Sequence, residues 1–143
     1  MYLNHVMSAA LMPYVSADKV VLTSTGASLV HFAVQTQVEV KRVMFQLTTT
    51  VSSSADAVVA VKYYPVIGSS SNAVTIATLN IPTTTAAGKI VYKDINEYIA
   101  APGGEIVFDV TTAATSAGIG VAGLICHLDP EYVTNQSNMV ASA

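Results

Sequence analysis

Apolar and polar residues alternate with a period of two through most of the chain, the pattern of half-buried β-strands. In SLVHFAVQT, Val30, Phe32 and Val34 fall on one side of the predicted strand, and polar or small residues fall on the other. Val, Ile and Thr together make up about a third of the chain, and these branched residues favour the pleated conformation. The sequence therefore predicts an all-β protein.

One long apolar run changes its parity partway along. In VEVKRVMFQL the apolar side chains occupy even positions up to Val40 and odd positions from Val43 to Leu47. An extra residue in one strand of a pair produces such a switch. The run therefore predicts a β-bulge near Lys41–Arg42.

Strand-sized segments recur every ten to sixteen residues, separated by turn-like clusters of Ser, Thr, Gly and Pro. About eight strands result, which favours two packed antiparallel sheets, either a jelly roll or a related Greek key. The segment DINEYIAA (94–101) is compatible with a single helical turn. The predicted core consists of alternating inward residues: Val30, Phe32, Val34, Phe45, Val61, Ile106, Phe108 and Val110.

The two ends of the chain lack the alternation. We therefore predict an N-terminal arm (1–18), a β-sandwich domain (19–130) and a C-terminal tail (131–143). Both ends contain Met and Tyr, which are favoured at protein contacts. The predicted assembly contacts are Tyr2, Met7, Met12, Tyr14, Tyr132 and Met139. The alternative is that these segments cover the ends of their own sandwich.

Charged residues are unusually scarce. They form 10% of the chain, against about 25% in an average domain, while apolar residues form 52%. Depletion of charge marks the buried centre of protein–protein contacts. The composition therefore favours a subunit of an assembly, with a neutral monomer coated in Thr and Ser as the alternative.

The net charge of −3 argues against a nucleic-acid partner, because phosphate backbones require clustered Lys and Arg. The first residues lack the basic region of a signal peptide. The longest apolar stretch, AATSAGIGVAGLICHL (113–128), is too rich in Gly, Ser and Thr for a transmembrane helix. We therefore expect no membrane partner. Cys126 lies in an apolar run and is interpreted as a small buried residue.

One motif matches a cofactor site by its letters alone. Gly118 to Gly123 reads GxGxxG, which in dinucleotide-binding proteins joins a strand to a helix. Here Pro130 follows seven residues after the last glycine, so no such unit fits. A closely packed, glycine-rich strand is the preferred interpretation, and no cofactor is expected.

The remaining residues do not form a recognisable catalytic or metal site. The three histidines, His5, His31 and His127, have no spacing that suits zinc. A GxSxG nucleophile elbow is absent, and the carboxylates form no convincing catalytic pair. We therefore expect no enzymatic activity and no bound metal.

The C-terminal half, especially PGGEIVFDVTTAATSAGIG and the following PEYV, resembles small β-rich virion proteins of tailed phages, most closely capsid decoration (cement) proteins. The resemblance implies a structural protein that binds and stabilises the major capsid protein lattice, often as a homotrimer. It also implies a place on the capsid exterior after synthesis in the host cytoplasm. The alternatives are another virion component, such as a head fibre base, neck or tail protein, and a bacterial adhesin, pilin or carbohydrate-binding module.

Overall fold

Eight β-strands make up the described part of the protein. The computed structural model describes residues 11–35, 37–99 and 103–127. The strands are β1 (Leu11–Val21), β2 (Gly26–Ala33), β3 (Val38–Ser52), β4 (Ala57–Tyr64), β5 (Val74–Ile81), β6 (Ile90–Ile99), β7 (Glu105–Thr112) and β8 (Ala117–His127). The prediction of an all-β chain with about eight strands is confirmed.

The strands form two four-stranded sheets. Sheet I has the order β1-β8-β3-β6, and sheet II has the order β2-β7-β4-β5. The first strand pairs with the last, the second with the last but one, and so on towards the middle of the chain. The antiparallel pairs are β1–β8, β2–β7, β3–β6 and β4–β5. The chain is thus connected like one long hairpin, with its turn between β4 and β5, rolled into two layers. This is the connectivity of an eight-stranded jelly roll, the first of the two predicted topologies.

The core lies between the two sheets and is apolar. Phe45 from sheet I and Phe108 from sheet II are its largest fully buried side chains. Seven of the eight predicted core residues are buried, and Phe32 is partly buried against the cluster. The Phe32 and Phe108 rings meet edge to face with centroids 5.9 Å apart. The predicted core is therefore confirmed.

The N-terminal arm predicted over residues 1–18 differs from the structure in its second half. β1 begins at Leu11, and residues 11–15 pair with β8. The register then shifts between Val15 and Lys19, which breaks the alternation and explains why the sequence did not indicate a strand. The Ser16 hydroxyl bridges the bulge: it accepts a hydrogen bond from the Ala122 N–H (3.0 Å) and donates to the Asp18 carbonyl (2.9 Å). Residues 1–10 and the predicted tail 131–143 lie outside the described residues.

The predicted β-bulge in β3 is confirmed. Both neighbours of β3 change register between Val40 and Arg42. The helical turn suggested for 94–101 is wrong, because β6 continues as a strand to Ile99. Its pairing with β3, including Arg42 opposite Asp94, outweighs the local preference of that segment.

The GxGxxG motif lies inside β8, so the interpretation as a packed glycine-rich strand is confirmed. A Cβ atom at Gly120 would overlap the ring of Phe45 on the adjacent strand β3. Glycine is therefore required here for close packing in the core. Among the described residues, no helix has the length and apolar character needed to span a membrane.

Candidate assembly surface

Alternate residues of β8 point to opposite sides of sheet I and have different surroundings. Ala122, Leu124 and Cys126 are buried in the core, so the alternate residues Ile119, Val121 and Gly123 point away from it. These outward residues have strand partners on both sides. The outward side of sheet I is therefore a continuous surface that extends across all four strands.

Register pairing defines this surface, which we call the sheet I outer face. Lys19, Val121, Gln46 and Ile90 form one row across β1, β8, β3 and β6, and Val15, Gly123, Met44 and Tyr92 form the next. Val21 and Ile119 continue it towards the end of β1. Of the eight residues in the two full rows, Lys19 alone is charged.

Large apolar side chains on this face are open to solvent. Val15 is 67% exposed, Ile90 51% and Tyr92 55%. Met44 lies over Gly123, where a Cβ atom would come within 3.3 Å of the Met44 methyl carbon. The centre of the face is therefore smooth, with apolar groups at both edges. Contiguous exposed apolar surface of this kind marks interaction sites.

Charged groups at one end of the face are paired with one another. The Arg42 guanidinium donates to both Asp94 carboxylate oxygens (2.5 and 3.1 Å) and stacks on Tyr92, 4.3 Å from the ring centroid. These hydrogen bonds raise the pKa of Arg42 and lower that of Asp94. Lys41 pairs with Glu39 (2.6 Å). The charges of Arg42 and Lys41 at this end are therefore paired with carboxylates.

The outward side of sheet II is different, because ion pairs cover it. On β7, Val107 has no exposure and lies in register between His31 and Lys62. Lys62 binds Asp109 (2.6 Å), and the hydrogen bond raises the pKa of Lys62. His31 binds Glu105 (2.6 Å). The two pairs run diagonally on either side of Val107 and shield it from water.

The loop between β4 and β5 adds to this cover. The Gly68 N–H donates to the second oxygen of Glu105 (2.9 Å), so both carboxylate oxygens of this buried residue have partners. A buried carboxylate needs such partners, because desolvation disfavours its charged form. This polar cluster therefore holds sheet II and its loop together. Among the described residues, no group of three or more His, Cys, Asp or Glu side chains is placed to hold a metal ion.

Two of the six predicted assembly contacts lie in β1. Tyr14 is 43% exposed and sits opposite the buried Leu124, on the inward side of sheet I. Met12 pairs with Cys126 in the β1–β8 register. Tyr2, Met7, Tyr132 and Met139 lie outside the described residues, so their role stays a prediction.

The sheet I outer face was not predicted from the sequence. One signal for it exists in β8, where apolar residues occupy both parities from Ile119 to Cys126. A continuous apolar run is typical of a strand buried on both faces. In the described part of the chain, the inward side of β8 is buried in the core and its outward residues Ile119 and Val121 are half-buried.

Comparison with known proteins supplies no family. No family model matches the chain, and no curated protein matches it. Among solved structures, it is similar to a chain of infectious bursal disease virus, Gx strain, at 14% identity and a TM-score of 0.37, over 83% of this chain and 32% of that one. A Gt strain chain matches at 12% identity and a TM-score of 0.25, over 94% and 44%.

This chain therefore spans less than half of either viral chain. Because both TM-scores lie below 0.5, these similarities carry no argument about function. The jelly-roll assignment rests on the strand order alone.

Proposed function

We propose that this protein is a structural subunit of a virion, a capsid decoration protein that docks on the major capsid protein lattice of a tailed phage through its sheet I outer face. The observation that carries the proposal is the row of exposed apolar residues on β1 and β6, Val15, Ile90 and Tyr92, with half-buried apolar residues of β8 and β3 between them. The resemblance of PGGEIVFDVTTAATSAGIG to decoration proteins supports the choice of partner.

The energetics favour burial of this face against protein. A stable contact buries about 800 Å² on each partner, and its central area is poor in charge. Removing the sheet I outer face from water costs little desolvation, because Lys19 is the one charge in its two central rows. The Arg42–Asp94 pair at its margin fits the polar rim of such a contact.

The jelly-roll strand order supports a second candidate, a subunit that builds the viral shell itself. Jelly rolls recur in viral capsids, and also in lectins and cupins, so the fold alone does not select a function. The two viral roles differ in one outcome. A shell-building subunit assembles into closed particles by itself, whereas a decoration protein forms a small oligomer, here a proposed trimer, and needs a preformed lattice.

The test compares two single substitutions on opposite sheets. Val121→Glu places a carboxylate in the centre of the sheet I outer face, next to Lys19 in register. Thr78→Glu is the matched control, an exposed residue opposite Ala60 on the outward side of sheet II. Both changes replace a β-branched residue by Glu, so their strand-propensity costs, within about 1 kcal/mol, should be similar.

We expect the wild type and Thr78→Glu to form the same oligomer by native mass spectrometry. Both should also bind empty shells assembled from the major capsid protein of the phage whose genome encodes the chain. Val121→Glu should remain folded and lose at least about tenfold in shell affinity, equivalent to about 1.4 kcal/mol. The new carboxylate must be desolvated in the contact centre, and attraction to its register neighbour Lys19 need not offset that cost. Equal binding by all three proteins, or no binding by the wild type, would end the proposal.

A further inference from the structure

β5 is an edge strand of sheet II, so one side of its backbone has no strand partner in the described part of the chain. Five consecutive pairs join β4 residues 57–61 to β5 residues 77–81. The register then skips Ile76, and Pro82 follows the strand at its other end. The regular part of this free edge is therefore the segment 77–81, and a regular edge can accept a further strand.

The backbone groups of Thr78 and Asn80 point to the free side. In an antiparallel sheet, consecutive residues of a strand direct their N–H and C=O groups to opposite neighbours. The Val58 carbonyl lies on the β7 side of β4, because it accepts a hydrogen bond from the Thr111 hydroxyl (3.3 Å). The next residue of β4 therefore directs its groups to its register partner Leu79. On either side of Leu79, Thr78 and Asn80 direct theirs away from β4.

The three other edge strands of the described sheets carry features that oppose strand addition. Proline, charged side chains and β-bulges at an edge keep it from pairing with another chain. These features are Pro13 and Lys19 in β1, a register shift between Ala27 and Val30 in β2, and Lys93, Asp94 and Glu97 in β6. The segment 77–81 (ATLNI) contains none of them. It is therefore the least protected edge of the described structure.

The charge pattern around β5 favours a second copy of the chain as the occupant of this edge. Residues 63–88 contain no Asp, Glu, Lys or Arg, and this is the longest such run in the sequence. In a two-fold contact the same surface patch occurs on both sides, so charged residues near the axis come close to their own copies and repel them. A neutral edge avoids this repulsion.

The irregularities at the two ends of the segment indicate the register of the pairing. Ile76 and Pro82 are equally distant from Leu79, so an antiparallel pair centred on Leu79 places each irregularity opposite the other. Thr78 then lies opposite Asn80 of the second copy, and each such pair exchanges two backbone hydrogen bonds. The side chains of Thr78 and Asn80 are exposed and uncharged, so this arrangement buries no charge.

We propose that two copies of this chain pair antiparallel along residues 77–81 of β5 and join their second sheets into one eight-stranded sheet. The proposal does not rest on the proposed function, because it uses the edge of sheet II and leaves the sheet I outer face free. It is compatible with the proposed trimer, since a two-fold axis combined with a three-fold axis gives a hexamer.

The size of the contact sets the concentration at which it forms. Five residues from each copy bury less than the roughly 800 Å² per partner of a standard interface, so we expect a weak contact with a Kd of about 0.1 mM. Native mass spectrometry at low micromolar concentration therefore detects the oligomer formed through other surfaces. The pairing itself requires measurements at higher concentration.

Hydrogen exchange of the wild-type chain tests the pairing without any substitution. At a Kd of about 0.1 mM, about a fifth of the chains remain unpaired at about 1 mM protein. The amides of Thr78 and Asn80 should therefore exchange about fourfold more slowly at about 1 mM than at about 10 µM. The Leu79 amide faces β4 and is the internal control, with the same rate at both concentrations. The mass measured by sedimentation should rise almost twofold over this range.

Thr78→Pro removes one N–H from the free edge and places a ring against the second copy. Proline is tolerated on an edge strand where its missing N–H would face solvent, so the variant should stay folded. Its sedimentation mass should stay constant between the two concentrations. The matched control Thr78→Ser keeps the N–H and should associate like the wild type. Circular dichroism and urea unfolding of both variants check the fold.

Three results would overturn the proposal. The first is a wild-type mass that does not rise with concentration, and the second is association that Thr78→Pro leaves intact. The third is slow exchange of the Thr78 and Asn80 amides at both concentrations in a chain of constant mass, which would show that the edge is covered within its own molecule. If Thr78→Pro does not fold, the exchange measurement on the unmodified chain decides the proposal.

Discussion

The outward residues of β7 in sheet II and of β8 in sheet I have different surroundings. In β7 the outward residues are Glu105, Val107 and Asp109, and all three are buried under ion pairs and a loop. In β8 they include Ile119 and Val121, which are half-buried, and the register neighbours of Val121 are Lys19 and Gln46. The inner faces of both strands are equally apolar. The two sheets therefore differ in how they meet solvent, and not in how they form the core.

This difference has a physical interpretation. Covering an apolar strand with ion pairs requires desolvated charges whose mutual attraction must offset their loss of hydration. Such a cover is useful on a face that stays in water. A face that becomes buried in a contact gains more from apolar residues, because they need no partner with matching charges. Sheet II therefore has an outer face partly covered by ion pairs, and sheet I has the more apolar outer face that we propose as the docking face.

The largest expected change in the free energy of unfolding tests whether the inner faces of the two sheets contribute equally to the core. Phe45→Ala in sheet I and Phe108→Ala in sheet II each empty a fully buried ring site. Each should lower the free energy of unfolding by about 3–5 kcal/mol, measured by urea titration. A loss below about 1 kcal/mol for either variant would show that its sheet contributes little to the core.

A smaller effect tests the cover on sheet II. Asp109→Ala leaves the Lys62 ammonium without its carboxylate, and should cost about 1–2 kcal/mol because Lys62 is 27% exposed and regains some water. The double variant Lys62→Met/Asp109→Leu should be closer to the wild type, since replacing both partners by apolar groups can be nearly neutral. Thermal and urea unfolding of the three proteins measure both effects. Equal losses in the single and double variants would contradict the role assigned to the pair.

The smallest effect concerns the exposed Arg42–Asp94 pair on sheet I. The hydrogen bond from Arg42 lowers the pKa of Asp94 in the folded protein. The Asp94 carboxylate therefore stabilises the fold at pH values above its unfolded-state pKa of about 3.9, and this stabilisation is lost as the pH falls through the folded-state pKa. The difference in unfolding midpoint between wild type and Asp94→Asn should therefore shrink below about pH 4. Added salt should reduce it at neutral pH, because surface pairs are screened. A difference independent of both pH and salt would contradict this account.

The fold was largely predictable because each strand carries its own evidence. The alternation in Val30 to Val34 reflects the inward and outward sides of one strand, and the parity switch at Lys41–Arg42 is a local property of β3. The first part of β1, up to Asp18, was not predicted as strand because its bulge, closed by Ser16 on Ala122, depends on a partner strand more than 100 residues away. The end of β6 was mistaken for a helical turn because its strand conformation depends on pairing with β3, which is also distant in the sequence.

The candidate assembly surface was much less predictable. Met and Tyr near the chain ends indicated contacts in the terminal segments, of which only Met12 and Tyr14 belong to the described residues. Each strand contributes only a few residues to the sheet I outer face, so no single segment of the sequence indicates it strongly. Val15, Gly123, Met44 and Tyr92 come from four distant segments, and no spacing between them in the sequence marks them as neighbours.

By itself, the sequence determined the all-β class, the number of strands, the inward core residues and the scarcity of charge. These follow from residue type and from the two-residue period of a strand, which are local. Only the tertiary structure decided that β8 lies between β1 and β3, so that one apolar surface extends across sheet I. It also decided that Glu105 and Asp109 meet His31 and Lys62 over Val107. Strand order is set by contacts far apart in the chain, and it therefore determines which outward residues stand together.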